Sequence, residues 1–92
     1  MIMCMYRKPS VARGCIVKGR TPAPLMNILD NPDELDDLLG PDNWNFDPRT
    51  GILSLFDSQT ARFGDIVVLE DGNIHVYDDW DKLHVDYKEV DA

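Results

Sequence analysis

Six prolines and six glycines are spread through the 92 residues and cut the chain into short pieces. Proline fixes φ, removes a backbone donor and restricts the residue before it, so long helices and long central strands cannot run through these positions. What remains is a series of short runs, some alternating apolar and polar, others with apolar residues three and four apart. These runs predict a small sheet packed by short helices, the α+β class, and 92 residues are too few for a Rossmann sheet or a TIM barrel. With 43% hydrophobic residues the composition supports a packed core. A single small domain over residues 1–92 is the expected organisation.

Along the chain, residues 11–18 read as a first strand, with Gly14 marking a bulge or a close backbone approach. Residues 19–24 (GRTPAP) read as a loop. Leu25, Met26, Ile28 and Leu29 read either as an early helical turn or as a docked apolar segment. Asn31 suits an N-cap and Pro32 the first helical position, with Asp33 and Glu34 in the first turn, where the helix dipole favours acids. Leu35, Leu38 and Leu39 form one stripe, and Gly40 and Pro41 end the helix. Trp44 and Phe46, then Ile52, Leu53, Leu55 and Phe56, flank residues 47–51 (DPRTG), a hairpin signal closed by a residue at positive φ. Residues 60–64 are a short connection and residues 65–69 (DIVVL) an apolar, central strand. Asp71-Gly72 makes a tight turn. In the returning Asn73–Tyr77, Ile74 and Val76 face one side, His75 and Tyr77 the other.

Asp78 reads as the N-cap of a last helix with Asp79 and Asp81 in its first turn, and Trp80, Leu83, His84 and Tyr87 on one face. Val85 breaks that stripe, so the helix is short and passes into an extended tail. The fold expected is therefore a mostly antiparallel sheet of four or five strands, packed by one helix at Pro32–Leu39, with a short C-terminal helix. The expected core is Ile16, Val17, Leu35, Leu38, Leu39, Leu53, Leu55, Ile66, Val68, Ile74, Val76 and Leu83.

The net charge of −8 is unevenly placed. Residues 1–24 hold Arg7, Lys8, Arg13, Lys18 and Arg20 and no acid, +5 in all; residues 25–92 hold all seventeen acids against Arg49, Arg62, Lys82 and Lys88, −13 in all. This acidity argues against direct binding to nucleic-acid phosphates or anionic membranes. The two halves can complement each other within the fold, or the acidic part can engage a basic partner. Cys4 and Cys15, with His75 and His84 distant, match no familiar zinc spacing. Neither a secretory signal nor an apolar run of membrane-spanning length is visible, so the expected setting is the cytosol, with reduced thiols. Met1, Met3 and Met5 each offer a start codon.

No Ser-His-Asp order, phosphate-binding glycine loop, HExxH motif or calcium loop is present, and no catalytic residue, metal or cofactor is expected. The densest acids, Asp33, Glu34, Asp36 and Asp37 with Asp30 beside them, sit on the first helix. Their plain reading is a solvated helix face. The functional reading is phosphate mimicry: carboxylates three and four residues apart lie about 5–6 Å apart and can occupy an Arg- and Lys-lined groove. Asp36 and Asp37, beyond the first turn, are the acids that helix physics explains least. A second candidate patch is Asp78, Asp79, Trp80 and Asp81. There the plain reading is capping with Trp80 as an anchor, and the functional one is an interface, since Trp is enriched at binding hot spots. His84 reads as a packing or hydrogen-bonding residue rather than a base.

Tyr6-Arg7-Lys8-Pro9, Gly64-Asp65-Ile66-Val67, Gly72–Tyr77 (GNIHVY) and Tyr87-Lys88-Glu89-Val90 follow one another in an order that resembles a group of small phage and prophage proteins. Those share a Tyr-Arg-Lys-Lys-Pro start, one helix, a Pro-Gly-Asp-Tyr-Ile strand, a Gly-Glu-Phe-Tyr return and an ending like Phe-Glu-Lys-Thr-Tyr. Here the lysine pair is single, Phe63 stands in place of the proline, and the cysteine often near the return strand is absent. The resemblance implies an α+β phage or prophage accessory protein and supplies no catalytic residues. The Gly-Asp element has a structural account: glycine makes the turn and aspartate satisfies backbone donors. The expected function is a non-enzymatic inhibitor that binds a host protein with a basic surface, a nucleic-acid-handling defence complex being the economical target, as for anti-CRISPR or DNA-mimic proteins. The alternative is a structural or morphogenetic phage component that self-associates.

Overall fold

The computed structural model describes the backbone of residues 3–7, 10–23 and 26–89 and the side chains of residues 12–22 and 26–87. Lys8, Pro9, Pro24, Leu25 and Val90, which enter the expectations above, lie outside the described residues. The elements run β1 (Met3–Arg7), β2 (Ser10–Ile16), β3 (Gly19–Ala23), β4 (Met26–Leu29), α1 (Pro32–Leu39), β5 (Trp44–Asp47), β6 (Ile52–Leu55), β7 (Thr60–Ala61), β8 (Ile66–Glu70), β9 (Asn73–Tyr77), α2 (Trp80–Asp86) and β10 (Lys88–Glu89). The α+β class holds. The sheet count differs from expectation: a five-stranded antiparallel sheet ordered β10-β1-β2-β8-β9 is joined by a β3–β4 ribbon and a β5-β6-β7 sheet.

Side-chain alternation in the main sheet splits the core in two. From β2, β8 and β9, Cys15, Val67 and Ile74 face one way, where Leu35, Leu38 and Leu39 of α1 and Leu53, Leu55 and Ala61 of the three-stranded sheet cover them. Ala12, Ile66 and Val68 face the other way and meet Leu83 and Tyr87. Thus α1 and α2 cover opposite faces, and the expectation of one packing helix is corrected. A small sheet with apolar residues on both faces needs cover on both. Of the expected core, Ile16 and Val76 are only half-buried beside it; Ala12, Cys15, Ala61, Val67 and Tyr87 are buried as well. Each fully buried large apolar side chain contributes about 1.5–3 kcal/mol.

The hairpins form where turn chemistry marks them. Gly51 closes the β5–β6 hairpin, its amide donating to the Asp47 carbonyl at 2.8 Å. Asp71 and Gly72, both at positive φ, form the two-residue turn between β8 and β9. The Gly64-Asp65 turn behaves as expected: Arg62 N donates to Asp65 Oδ2 at 2.9 Å, and Gly64 N donates to the Val17 carbonyl at 2.8 Å.

Residues 19–23 are not the loop expected: they form strand β3, paired with β4, so Met26–Leu29 is a strand and not a helical turn. The register shifts between Arg20 and Ala23, and Pro22 sits in that irregular stretch, where a missing donor breaks no ladder bond. Asn27 of β4 ties the ribbon to the β5–β6 turn: its backbone N and its Nδ2 both donate to the Pro48 carbonyl, at 2.8 and 3.0 Å.

Candidate binding surfaces

The first acidic group is built on α1. The helix starts at Pro32 after Asn31, and its buried Leu35, Leu38 and Leu39 turn the remaining positions toward solvent. The acids there do not form one uniform face. Asp33 and Asp37 are exposed. Glu34 is half-buried. Asp36, expected to point outward, is half-buried and accepts a hydrogen bond from Trp44 Nε1 at 2.9 Å. Asp30 lies before the helix and pairs with Arg20, Nε to Oδ1 at 2.9 Å, in an exposed ion pair. Such a pair contributes at most about 1 kcal/mol.

The end of α1 runs against helix electrostatics. Asp36 and Asp37 occupy its last turn, where carbonyl ends carry partial negative charge, and no basic residue sits in that turn. The indole of Trp44 answers Asp36. Asp37 faces solvent at the unfavourable end.

The helix's start is held by an unexpected use of its N-cap. Asn31 is buried, and its side chain makes no capping bond. Instead Oδ1 accepts from Lys18 N at 2.9 Å and Nδ2 donates to the Ile16 carbonyl at 2.6 Å. Both halves of the amide are spent on the end of β2, which locks α1 against the main sheet.

The second acidic group opens α2 on the opposite face. The N-cap is Asp79, not Asp78: Asp79 Oδ1 accepts from Asp81 N at 2.8 Å. Asp78 instead accepts from Lys82 Nζ at 2.9 Å, four residues on. That hydrogen bond, with the lysine's charge, holds the Asp78 carboxyl below its ordinary value and the Lys82 ammonium above its own. Trp80 is half-buried against the core cluster of Ala12, Ile66, Val68, Leu83 and Tyr87, and its ring stacks on exposed His84 with centroids 5.8 Å apart. Val85 is 83% exposed, and α2 ends at Asp86 before the extended β10.

Below α2, Tyr77 Oη donates to Asp86 Oδ2 at 2.8 Å and Tyr87 Oη to Glu70 Oε1 at 3.2 Å, with the two rings edge to face. Burial first, then the Asp86 hydrogen bond, pushes the Tyr77 hydroxyl above its ordinary value. Burial also pushes the Cys15 thiol up to about 11, the Glu34 charge adding to it.

Expected contact residues are thus divided between two faces: Asp30, Asp33, Glu34, Asp36 and Asp37 on one, Asp78, Asp79, Trp80 and Asp81 on the other. Two further polar contacts hold these surfaces: the sequence marks Trp44 only as a hairpin flank, and nothing in it marks Gln59. Gln59 donates through Nε2 to the Ile74 carbonyl at 2.7 Å and to the Asp57 carboxylate. The Trp44–Asp36 and Gln59–Ile74 contacts join residues whose nearness is set by packing, so no local pattern announces them. Among the described residues no group of three or more His, Cys, Asp or Glu side chains is placed to hold a metal ion, and no helix is long and apolar enough to cross a membrane. No family model, curated protein or solved structure matches the chain.

Proposed function

We infer that this protein is a binding module whose exposed acids engage a basic surface on a partner protein. In the setting its sequence resemblance implies, it is a phage or prophage accessory protein that inhibits a host complex handling nucleic acid. The observation that carries this reading is Asp37, with Asp33 one turn before it on the solvent side of α1. Asp33 has a local reason to be acidic, near the helix start. Asp37 has none: at the C-terminal turn a carboxylate is unfavourable by about 0.3–1 kcal/mol. A residue that costs the fold energy and faces solvent is the kind retained for contact with something else.

The reading is non-catalytic because the polar groups with defined geometry have structural tasks. Asp79 caps, Asp65 closes a turn, Asp36 accepts an indole, Asn31 clasps a strand, and Asp86 accepts from Tyr77.

Affinity capture from a bacterial host lysate at low salt tests it, with the wild-type chain and an Asp33→Asn/Asp37→Asn chain immobilised in parallel. We expect a partner with a basic surface, released by salt and lost with the double variant. Recovery of no basic partner overturns the reading. Equal capture by both chains overturns the assignment to α1.

A further inference from the structure

The β8–β9 hairpin determines which backbone groups of β9 face away from the main sheet. Its turn residues Asp71 and Gly72 have φ of 51° and 80°, and Glu70 pairs with Asn73 across them. In such a hairpin the residues flanking the turn exchange both backbone hydrogen bonds, and so do alternate pairs beyond them. Asn73, His75 and Tyr77 therefore turn their amides and carbonyls toward β8, while Ile74 and Val76 turn theirs outward. The Gln59 contact agrees independently. The Ile74 carbonyl is reached by a side chain from the loop between β6 and β7, on the side away from β8.

β9 is an edge of the five-stranded sheet. Outward amides and carbonyls on an edge are a template for strand addition. Here Gln59 holds one of them, the Ile74 carbonyl. The same Gln59 amide donates to Asp57, so a carboxylate stands beside this edge. At the far end the exposed Asp78 and Asp79 follow directly on the strand, and Asp81 lies just beyond.

We propose that the β9 edge receives an extended, basic segment of the partner as an added strand. The inference rests on the acidic-surface reading and gives it a mode of recognition. The partner's backbone pairs with the outward groups of Ile74 and Val76, and its Lys or Arg side chains meet Asp57 at one end and Asp79 at the other. A second copy of this chain is a poor occupant. It would bring its own Asp57 and Asp79 to the shared edge, and like charges on paired strands are destabilising.

The probe is an acetylated, amidated peptide of about nine residues, long enough to span the strand, with lysine at each end and alternating threonine and valine between. A twin peptide carries glutamate at both ends. Each is titrated into the isotope-labelled full chain, and amide exchange is followed by residue. We expect the lysine peptide to slow exchange at Ile74 and Val76 by at least about tenfold, and the glutamate twin to bind at least about tenfold more weakly. Gln59→Ala, which releases the Ile74 carbonyl, should tighten the lysine peptide by roughly fivefold. Binding with changes confined to α1 overturns the edge site while leaving the acidic-surface reading intact. Equal binding of both peptides overturns the charge complementarity. No binding overturns the proposal, and the capture experiment with the Asp33 and Asp37 variant then decides the broader reading by itself.

Discussion

The indole Nε1 of Trp44 donates to Asp36 Oδ1 at 2.9 Å, whereas Asp37, the next residue in the chain, faces solvent. Two adjacent acids in the same helical turn thus have opposite energetic roles. Asp36→Ala leaves the half-buried indole N–H without its acceptor and should destabilise the fold by about 1–2 kcal/mol. Asp37→Asn removes a carboxylate from the negative end of α1 and should stabilise it by about 0.3–1 kcal/mol. Urea unfolding midpoints at neutral pH separate the two. The same Asp37→Asn change should weaken capture of a basic partner, so stability and binding move in opposite directions.

Asn31 offers a sharper discrimination between capping and clasping. Asn and Asp are about equally good at N-caps. A carboxylate, however, cannot donate to the Ile16 carbonyl that Asn31 Nδ2 now reaches at 2.6 Å. Asn31→Asp should therefore cost about 1–3 kcal/mol, the range for leaving a buried acceptor unpaired and burying a charge beside it. If the side chain acted only as a cap, the substitution would be nearly neutral in the same unfolding experiment.

Stability should also decline at alkaline pH. The Cys15 thiol is held at about 11 against an ordinary 9.0, and the Tyr77 hydroxyl is also raised, so folding favours the neutral form of both. Their contribution is complete below the unfolded values, about 9 for Cys15 and about 10 for Tyr77, and is lost as pH rises beyond them. Unfolding midpoints measured from pH 7 upward should fall above about pH 9. Tyr77→Phe should lower stability at pH 7 by about 0.5–1 kcal/mol, through its lost hydrogen bond to Asp86, yet flatten the decline at the upper end. In a Cys4→Ser background, Cys15 should react with a thiol reagent only as fast as the protein opens, and urea should accelerate the reaction.

What could be read from the sequence follows from how local each determinant is. The β8–β9 hairpin was legible because alternation and Asp-Gly turn chemistry lie within a dozen residues and agree. The stripe of Leu35, Leu38 and Leu39 was legible for the same reason. The β3–β4 ribbon was not: Pro22 argues against a strand, and only the register shift between Arg20 and Ala23, a property of the paired ribbon, accommodates it. The α2 cap was displaced by one residue because Asp78 and Asp79 are chemically equivalent. The choice falls to which carboxylate reaches Asp81 N and which reaches Lys82. Among the acids, composition and helical spacing located the α1 group. The contact that removes Asp36 from the exposed set comes from Trp44 on a neighbouring strand, and the Gln59 contact with β9 bridges 15 residues.

Backbone strain at the β6–β7 turn gives the last prediction. Ser58 has φ 74°, the left-handed region that an L residue enters at a cost of roughly 1–2 kcal/mol. It is exposed, and its amide donates to the Leu55 carbonyl at 3.0 Å. Glycine meets no such cost there, although it loses more freedom on folding. Ser58→Gly should thus stabilise the protein by about 0.5–1 kcal/mol, raising the thermal midpoint by a few degrees. The control is Gly51→Ala. Gly51 has φ 73°, and a Cβ there would stand 3.1 Å from Asn27 Cγ, the side chain that ties β4 to the β5–β6 turn. That substitution should cost at least about 1 kcal/mol. Opposite shifts of the two midpoints would establish left-handed strain as the cause, whereas a fall in both would show that the Ser58 side chain itself stabilises its turn.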